Sequence, residues 1–179
     1  MSDNKFEWAR NANFHRLTEK PTKNFDCGNN NLNDVLKEKA LKYSNYLGIV
    51  TYILENEEDV IAFYSLSNDS LVVGRVDDFW ETTSSDFRNL FEDYNSFPAI
   101  KIVHLAINKK YKRLGIARHL LNHLVKSLTN KTNKTGCQFI LVDALQTNES
   151  RFFYENNCFE YATAFDMNKD ARLMYRCLI

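Results

Sequence analysis

The chain has 179 residues, 44% of them hydrophobic and 26% charged, with a formal net charge of zero, which fits a single domain over residues 1–179 and excludes a disordered chain. No apolar run approaches the ~18 residues of a membrane span, and the polar start lacks the apolar middle of a secretory signal, so we expect no membrane association. The four cysteines show no CxxC spacing, and we therefore expect reduced thiols in a cytoplasmic protein.

The first half of the chain predicts a strand, a helix and a β-hairpin. The strand is expected near Phe14–Leu17. A helix is expected over Asn31–Tyr43, where apolar residues recur on one helical face, with Asn30 or the first helical residue as its cap. Ile49–Leu54 and Val60–Leu66 predict two paired strands, joined by an acidic turn whose side chains we expect to be solvated.

The second half predicts alternating strands and helices. Two nearly continuous apolar runs are typical of strands buried on both faces. A mixed α/β (α+β) fold follows, with one sheet and flanking helices. The expected elements are a weak helix within Ser84–Tyr94, a strand at Ile100–Ile107, a helix at Ile116–Leu128, a strand at Cys137–Leu145, a helix at Asn148–Asn157 and a strand at Arg172–Leu178.

The unit Lys101–Ser127 indicates a phosphate site. A buried strand runs into a basic loop and a helix start, where free backbone N–H groups and the positive end of the helix dipole favour an anion. Gly115 and Ala117 keep the approach open, and Lys112, Arg113 and Arg118 add positive charge. Neither a Walker loop nor a GxGxxG fingerprint is present.

Five segments resemble a known family. Lys112–Ala117 (KRLGIA) resembles the acetyl-CoA signature [Q/R]xxGx[G/A] of the GNAT acetyltransferases, with Lys112 where Gln or Arg is usual. Phe153–Phe159 resembles the family's FYExxGF segment, with Cys158 in place of Gly. The segments Phe25–Gly28, Thr51-Tyr52 and Ala62–Ser67 are similar to GNAT proteins that act as toxins of toxin–antitoxin pairs and to their non-toxin relatives.

The resemblance implies a GNAT fold, in which about four helices flank a mixed sheet of about six to seven strands that splays between the fourth and fifth. It also implies acetyl-CoA as co-substrate, without a metal. The pyrophosphate would lie on backbone amides of the helix start, the pantetheine arm would pair with a strand edge, and an N–H near Ile107 would face the acyl carbonyl oxygen. The coenzyme-binding set is Leu105, Ala106, Ile107, Lys112, Arg113, Leu114, Gly115, Ile116, Ala117, Arg118, Asn148 and Tyr154.

Two residues are candidates for catalysis. By the resemblance, Tyr154 would protonate the leaving thiolate; the alternative is a core tyrosine. His104, in mid-strand, could be a general base or a hydrogen-bonded buried histidine. Asp143 could bind the acceptor or cap a loop. The HLLNH spacing of His119 and His123 lacks the Glu of HExxH, so we expect no metal site there.

The sequence leaves the acceptor open. We expect transfer of an acetyl group from acetyl-CoA to a primary amine of an unknown small-molecule or macromolecular acceptor. One alternative, implied by the subgroup, is a toxin that acetylates the α-amine of aminoacyl-tRNA and pairs with a ribbon–helix–helix antitoxin. Another is a catalytically silent CoA-binding module. Zero net charge leaves few cations for tRNA phosphates, although a homodimer, frequent in the family, could join two basic patches.

Overall fold

The computed structural model describes residues 8, 9 and 11–178. Within them seven strands form one sheet in the order β1-β2-β3-β4-β5-β7-β6. The mixed α/β architecture is the predicted one. The strands are β1 (Asn13–Arg16), β2 (Val50–Glu55), β3 (Val60–Val72), β4 (Ser96–Ile107), β5 (Phe139–Leu145), β6 (Glu160–Tyr161) and β7 (Ala171–Cys177); the helices are α1 (Asn30–Asp34), α2 (Ala40–Asn45), α3 (Phe79–Thr82), α4 (Ser85–Phe91), α5 (Ile116–Leu128) and α6 (Asn148–Glu155).

The chain folds into two compact units. The first contains the residues up to Ser67 together with Ile102–Ser127, and the second contains Asn68–Lys101 and the residues from Leu128 onward. Strands β3 and β4 each contribute residues to both units. In the described residues, no helix has the length and apolar character that crossing a membrane requires.

In the first unit, helices cover both faces of the β2–β3 hairpin. The hairpin is antiparallel, with Tyr52 opposite Tyr64, so alternate side chains point to opposite faces. One face packs against the α1–α2 region, and its core includes Leu36 and Phe63. The other packs against α5, and its core includes Tyr64 and Leu120. Burial on both faces therefore fixes the position of α5.

The N-terminal helix lies where expected but has a different cap. Asn29 is extended, and its side chain accepts a hydrogen bond from the Leu32 N–H at 3.2 Å. The prediction of Asn30 or Asn31 as cap is thus wrong by one or two residues, because the helix begins at Asn30, one position earlier than predicted. A π-turn at Val35–Lys39 joins α1 to α2.

The second unit is built around aromatic side chains. Rings of Phe79, Phe87 and Phe97 lie within 6.4 Å of one another, and Phe139 joins the same cluster. The short α3 was not predicted, whereas α4 lies within the predicted segment, with Ser84 as its cap. β5 and β7 pair antiparallel, with Val142 opposite Met174.

β4 departs from the prediction in two respects, its first residue and its burial. It starts at Ser96 and includes Pro98, which was expected to precede the strand. The strand is also not buried on both faces, because its buried residues Phe97, Ala99, Ile102 and Ala106 leave the positions between them exposed or half-buried. The apolar run predicted a strand correctly but misjudged how much of it is covered. Likewise, Asp143 and Leu145 of β5 are exposed.

Candidate active site

Asn108 fixes the end of β4. It is 2% exposed, its backbone N–H donates to the Ile61 carbonyl at 2.9 Å, and its side-chain amide donates to the Val60 carbonyl at 3.0 Å. Its side-chain oxygen accepts a hydrogen bond from the Lys110 N–H at 3.2 Å, at the start of a 3-10 turn. A buried amide is stable only when it is hydrogen-bonded, so the following loop leaves the sheet from a fixed point.

A buried carboxylate holds the basic loop. Asp59, 1% exposed, accepts hydrogen bonds from the Lys110 ammonium at 3.0 and 2.9 Å and from the Tyr111 hydroxyl at 3.1 Å. Asn56 donates to the same hydroxyl at 3.1 Å. The hydrogen bonds to Asp59 raise the pKa of Lys110. The expectation of a solvated acidic turn is therefore wrong for Asp59, which the basic loop covers.

A second ion pair neutralises Lys109. Its ammonium lies 2.6 Å from the Asp26 carboxylate, which also accepts hydrogen bonds from the Gly28 N–H and the Asn33 amide. The Lys109 hydrogen bond, followed by those two, lowers the pKa of Asp26. The ammonium groups of Lys109 and Lys110 are therefore neutralised by ion pairs within the protein.

Helix α5 begins with open amides. Gly115, at φ 80°, accepts a hydrogen bond from the His119 N–H at 3.0 Å and so starts the helix. In the part of the chain that the structure describes, no group accepts a hydrogen bond from the N–H groups of Arg113–Ala117. A Cβ at Gly115 would meet open space. These amides and the helix dipole can therefore hold an anion.

Exposed cations lie beside these amides. Lys112 and Arg113 are exposed and have no ion-pair partner within the described ranges. Arg113 has a φ of 65°, a left-handed conformation that is costly for a residue with a side chain. The side chain of Ile116, the first residue of α5, is buried in the core cluster with Leu120, and the half-buried side chain of Leu114 packs against that cluster. The loop thus combines free amides with two uncommitted positive charges.

Successive side chains at the end of β4 pack on opposite faces of the sheet. Leu105 and Ile107 pack in the α5 cluster, and Ala106 packs in the opposite one. His104 is half-buried, and no residue in the described part hydrogen-bonds its buried Nδ1. Burial, and secondarily the charge of Lys39, lowers the pKa of His104. Nδ1 therefore does not support the alternative of a hydrogen-bonded buried histidine. Because the pKa lies below its ordinary value, the ring is neutral at pH 7.

Tyr154 lies in the second unit, in the last turn of α6. The Cys158 N–H donates to the Glu155 carbonyl at 3.2 Å and the Phe159 N–H to the Tyr154 carbonyl at 3.1 Å, the bond pair of a Schellman motif. Cys158 has a φ of 61°, which explains the Gly of the FYExxGF segment. Burial raises the pKa of Tyr154, whose hydroxyl has no hydrogen bond to any described residue.

The other candidate residues are Asp143, Asn148, His119 and His123. Asp143 lies 2.6 Å from the Lys101 ammonium, so its carboxylate forms an ion pair and does not cap a loop. Asn148 is exposed at the start of α6, and its neighbour Thr147 caps the helix. His119 and His123 are exposed on α5, and within the described ranges no group of three His, Cys, Asp or Glu could hold a metal ion.

A family model described as the acetyltransferase (GNAT) family matches residues 6–161. The chain belongs to this family. The match extends over most of the chain and includes the open amides at Gly115 and the segment around Tyr154. The prediction of an acetyl-CoA-dependent N-acetyltransferase is thereby confirmed, with acetyl-CoA as the co-substrate of this GNAT protein.

Similar proteins include toxins. The tRNA-acetylating toxin of Mycobacterium tuberculosis is 27% identical over 159 residues, which are 84% of this chain and 87% of that protein. AtaT complexed with acetyl-methionyl-tRNAfMet has a TM-score of 0.73 at 19% identity, over 91% of this chain and 94% of that one. A mutant AtaT toxin bound to the C-terminus of the antitoxin AtaR and acetyl-CoA has a TM-score of 0.69 at 17% identity, over 94% of each chain. These structures confirm the GNAT fold.

The first unit of this GNAT protein brings together most of the predicted site residues. His104, the strand end Leu105–Ile107 and the loop Lys112–Arg118 lie within it, whereas Asn148 and Tyr154 lie in the second unit. Sequence reasoning missed Asn108 and Asp59. Asn108 had a signal, as the polar residue directly after an apolar strand, but nothing in the spacing connects Asp59 with Lys110, 51 positions away.

Proposed function

We propose that this chain transfers the acetyl group of acetyl-CoA to the α-amine of an aminoacyl-tRNA, and that it acts as a toxin. The observation that carries this proposal is its likeness to the tRNA-acetylating toxin, which extends over 84% of this chain and 87% of that protein. A cytoplasmic location follows from the proposal, because charged tRNA is found there. The domain that performs the reaction comprises residues 1–179, and the family match to residues 6–161 supports this extent.

The first unit holds the coenzyme phosphates. The open amides of Arg113–Ala117 and the charges of Lys112 and Arg113 bind the pyrophosphate, and Arg118 adds a third charge. Leu105, Ala106 and Ile107 pair with the pantetheine arm through backbone groups. Asn148 contributes a further polar contact. The support for this assignment is that the amides and the two exposed cations are not used by the rest of the described chain.

The chemistry favours an α-amine. When bound, acetyl-CoA supplies a thioester carbonyl, at which a C–N bond forms as the C–S bond breaks. An α-amine with a pKa near 8 is neutral in about one molecule in ten at pH 7, but a lysine amine in only about one in 2,500. A strong base is therefore unnecessary, and His104, neutral because burial lowers its pKa, suffices to accept the amine proton.

Tyr154 stabilises the leaving sulfur. Its phenol is protonated at neutral pH, because burial raises its pKa, and its hydroxyl is not used by another described residue. The pKa of a thiol is about 8.5, below that of the phenol. Tyr154 therefore donates a hydrogen bond to the developing thiolate more readily than it gives up its proton, and solvent completes the proton transfer.

The number of available Lys and Arg side chains limits how the chain binds tRNA phosphates. Residues 100–136 contain nine Lys or Arg and no acid, but Lys101, Lys109 and Lys110 are paired internally. One chain thus offers few cations for tRNA phosphates, and a homodimer doubles their number. The AtaT toxin is seen with the C-terminus of its antitoxin. We therefore also propose that this chain binds a ribbon–helix–helix antitoxin.

An acceptor screen tests the proposal. The purified chain is incubated with labelled acetyl-CoA and either charged tRNA, uncharged tRNA, a lysine peptide or a polyamine. We expect label on charged tRNA, and its release as an N-acetylated amino acid when the ester is hydrolysed. Label on the peptide or polyamine but on no charged tRNA would overturn the tRNA proposal and leave the acetyltransferase activity in place.

The double variant Lys112→Gln with Arg113→Gln tests the coenzyme site. We expect at least a tenfold higher dissociation constant for acetyl-CoA, from the loss of two charge-assisted contacts of about 1.5 kcal/mol or more each. Lys131→Gln, in an exposed loop of the second unit, is the matched control and should bind normally. Unchanged binding by the double variant would contradict the assignment.

A further inference from the structure

We propose that Cys158 and Cys177 form an intramolecular disulfide when the protein meets a hydroperoxide, so that the pair is a reversible modification site. The site is separate from the transfer chemistry proposed above. Its evidence comes from the second unit alone.

The register of β6 and β7 directs the turn that holds Cys158 toward the end of β7 that holds Cys177. Glu160 is opposite Tyr175 and Tyr161 is opposite Met174 in this antiparallel pair. Cys158 lies two residues before Glu160, in the turn that precedes β6, and Cys177 lies two residues after Tyr175, so continuing this register brings Cys158 toward Cys177. Directly opposed residues of antiparallel strands have Cα atoms about 4.5–5.5 Å apart, within the range that a disulfide spans.

Hydrogen bonds hold the segment before Glu160 against β7. Arg176 donates from Nη1 to the Asn157 carbonyl at 3.1 Å, so the chain at Asn157 lies beside β7 although the regular ladder has ended. The Cys158 N–H is bonded to Glu155, which fixes the left-handed turn. Cys158 is therefore held close to β7 although it lies in a turn and not in a strand.

One cavity lies beside both cysteines. Both cysteines line a cavity of about 810 Å³, together with Glu160 and Tyr175. The Tyr175 hydroxyl donates to the Glu160 carboxylate at 3.4 Å, so this opposed pair has its side chains on the same face. Cys177, two residues beyond Tyr175 in β7, has its side chain on that same face, and Cys158 lines the cavity from the turn that precedes β6. Both are exposed, so a small oxidant reaches them.

The other two cysteines are poorer partners. Cys137 precedes Phe139, which is opposite Cys177, so it is only a diagonal neighbour at about 7–8 Å, beyond disulfide range. Its half-buried thiol donates to the Phe139 carbonyl at 3.4 Å, and burial raises its pKa. Cys27 is buried in the core of the first unit.

The reaction balances with one hydroperoxide for each disulfide. One thiolate attacks the terminal peroxide oxygen, the O–O bond breaks, and a sulfenic acid and water (or an alcohol) form. The second thiol sulfur attacks the sulfenic sulfur, the S–O bond breaks and the S–S bond forms, with water as the leaving product. Sulfur is oxidised, the peroxide is reduced, and the two thiol protons end in the released products.

The test is oxidation of the full chain at low concentration by hydrogen peroxide. Thiol alkylation and peptide mass spectrometry should show a crosslinked pair of peptides containing Cys158 and Cys177, about 2 Da lighter than the two free peptides together. Dithiothreitol should restore both thiols. Cys158→Ser and Cys177→Ser should each abolish the crosslink, and Cys137→Ser, the matched control from the same unit, should retain it.

Three results would overturn the proposal. One is a crosslink between Cys137 and Cys177, and another is a covalent dimer at low concentration. The third is oxidation of Cys158 to sulfinic acid while Cys177 remains a free thiol. Serine replaces a thiol with little change of shape, so circular dichroism should show the variants at the exposed Cys158 and Cys177 and at the half-buried Cys137 folded.

Discussion

The ring of Phe159 packs edge-on against the ring of Tyr154, with 5.2 Å between the ring centroids and 67° between the planes. The contact bridges the left-handed turn at Cys158 and accompanies the Schellman hydrogen bonds at the end of α6. Phe153 packs on Tyr154 as well, at 5.1 Å. Tyr154 is thus held by its ring, and its hydroxyl remains available for chemistry.

Replacing Tyr154 by Phe separates these two roles. We expect Tyr154→Phe to lower kcat about 10- to 100-fold, the equivalent of a hydrogen bond to a charged group of about 1.5–3 kcal/mol. The free energy of unfolding should hardly change, because the ring contacts remain. Release of the coenzyme thiol measures the first quantity and urea denaturation the second.

Tyr161→Phe is the matched control. The Tyr161 hydroxyl is buried without a hydrogen-bond partner in the described residues, and its ring lies 3.8 Å from the Arg172 guanidinium. This variant should keep full activity. If Tyr154→Phe were equally active, the hydroxyl would have no part in transfer.

Cys158→Gly should stabilise the protein. A left-handed φ of 61° costs a residue with a Cβ about 1 kcal/mol, which Gly avoids. In urea denaturation under reducing conditions we expect a gain of about 0.5–1 kcal/mol. Cys158→Ala removes the thiol but keeps the Cβ, so a gain of the same size in that variant would show that backbone strain is not the cause.

Gly115→Ala should weaken acetyl-CoA binding. The substitution strains a residue at φ 80°, which costs about 1 kcal/mol, and it disturbs the amides at the start of α5. We expect at least a tenfold rise in the acetyl-CoA dissociation constant, measured by calorimetry. Gly48→Ala, also in open space but without a left-handed φ, should bind like the wild type. Equal affinity of both variants would argue against this loop as the coenzyme site.

Asp59→Ala should release the basic loop. It leaves the Lys110 ammonium and the Tyr111 hydroxyl without their shared acceptor. We expect a loss of about 2 kcal/mol in the free energy of unfolding, since Asp59 is buried. Glu57→Ala, exposed in the same turn, should change stability by less than about 0.5 kcal/mol. A loss as large for Glu57 would mean that the ion pair is not responsible.

The stability should depend on the protonation of His104. Burial lowers the pKa of His104 in the folded chain, so below about pH 6.5 the unfolded chain binds more protons and stability falls as the pH falls. Above that pH this contribution is complete. Urea midpoints at pH 7.5 and 5.5 should therefore differ more for the wild type than for His104→Gln. An equal difference in both would show that His104 does not titrate with folding.

Local patterns predicted the long helix α5 well and missed the shortest elements, and they placed one end of each of the long strands β3 and β4 several residues inside the strand. α5 begins and ends at the predicted residues, because seven apolar side chains trace one helical face over Ile116–Leu128. α3, with four residues, and β6, with two, are too short for a periodicity to appear. Asn29 capped the first helix instead of Asn30 because several consecutive Asn residues are chemically equivalent as caps.

The sequence by itself determined the strand–loop–helix unit, its Gly115 and its cluster of cations, because helix periodicity and backbone freedom depend on neighbouring residues. Only the tertiary structure decided which cations remain available: Asp26 and Asp59, distant in sequence, pair with Lys109 and Lys110 and leave Lys112 and Arg113 exposed. Ion pairs form between groups that folding brings within a few ångströms, and spacing along the chain does not encode that distance.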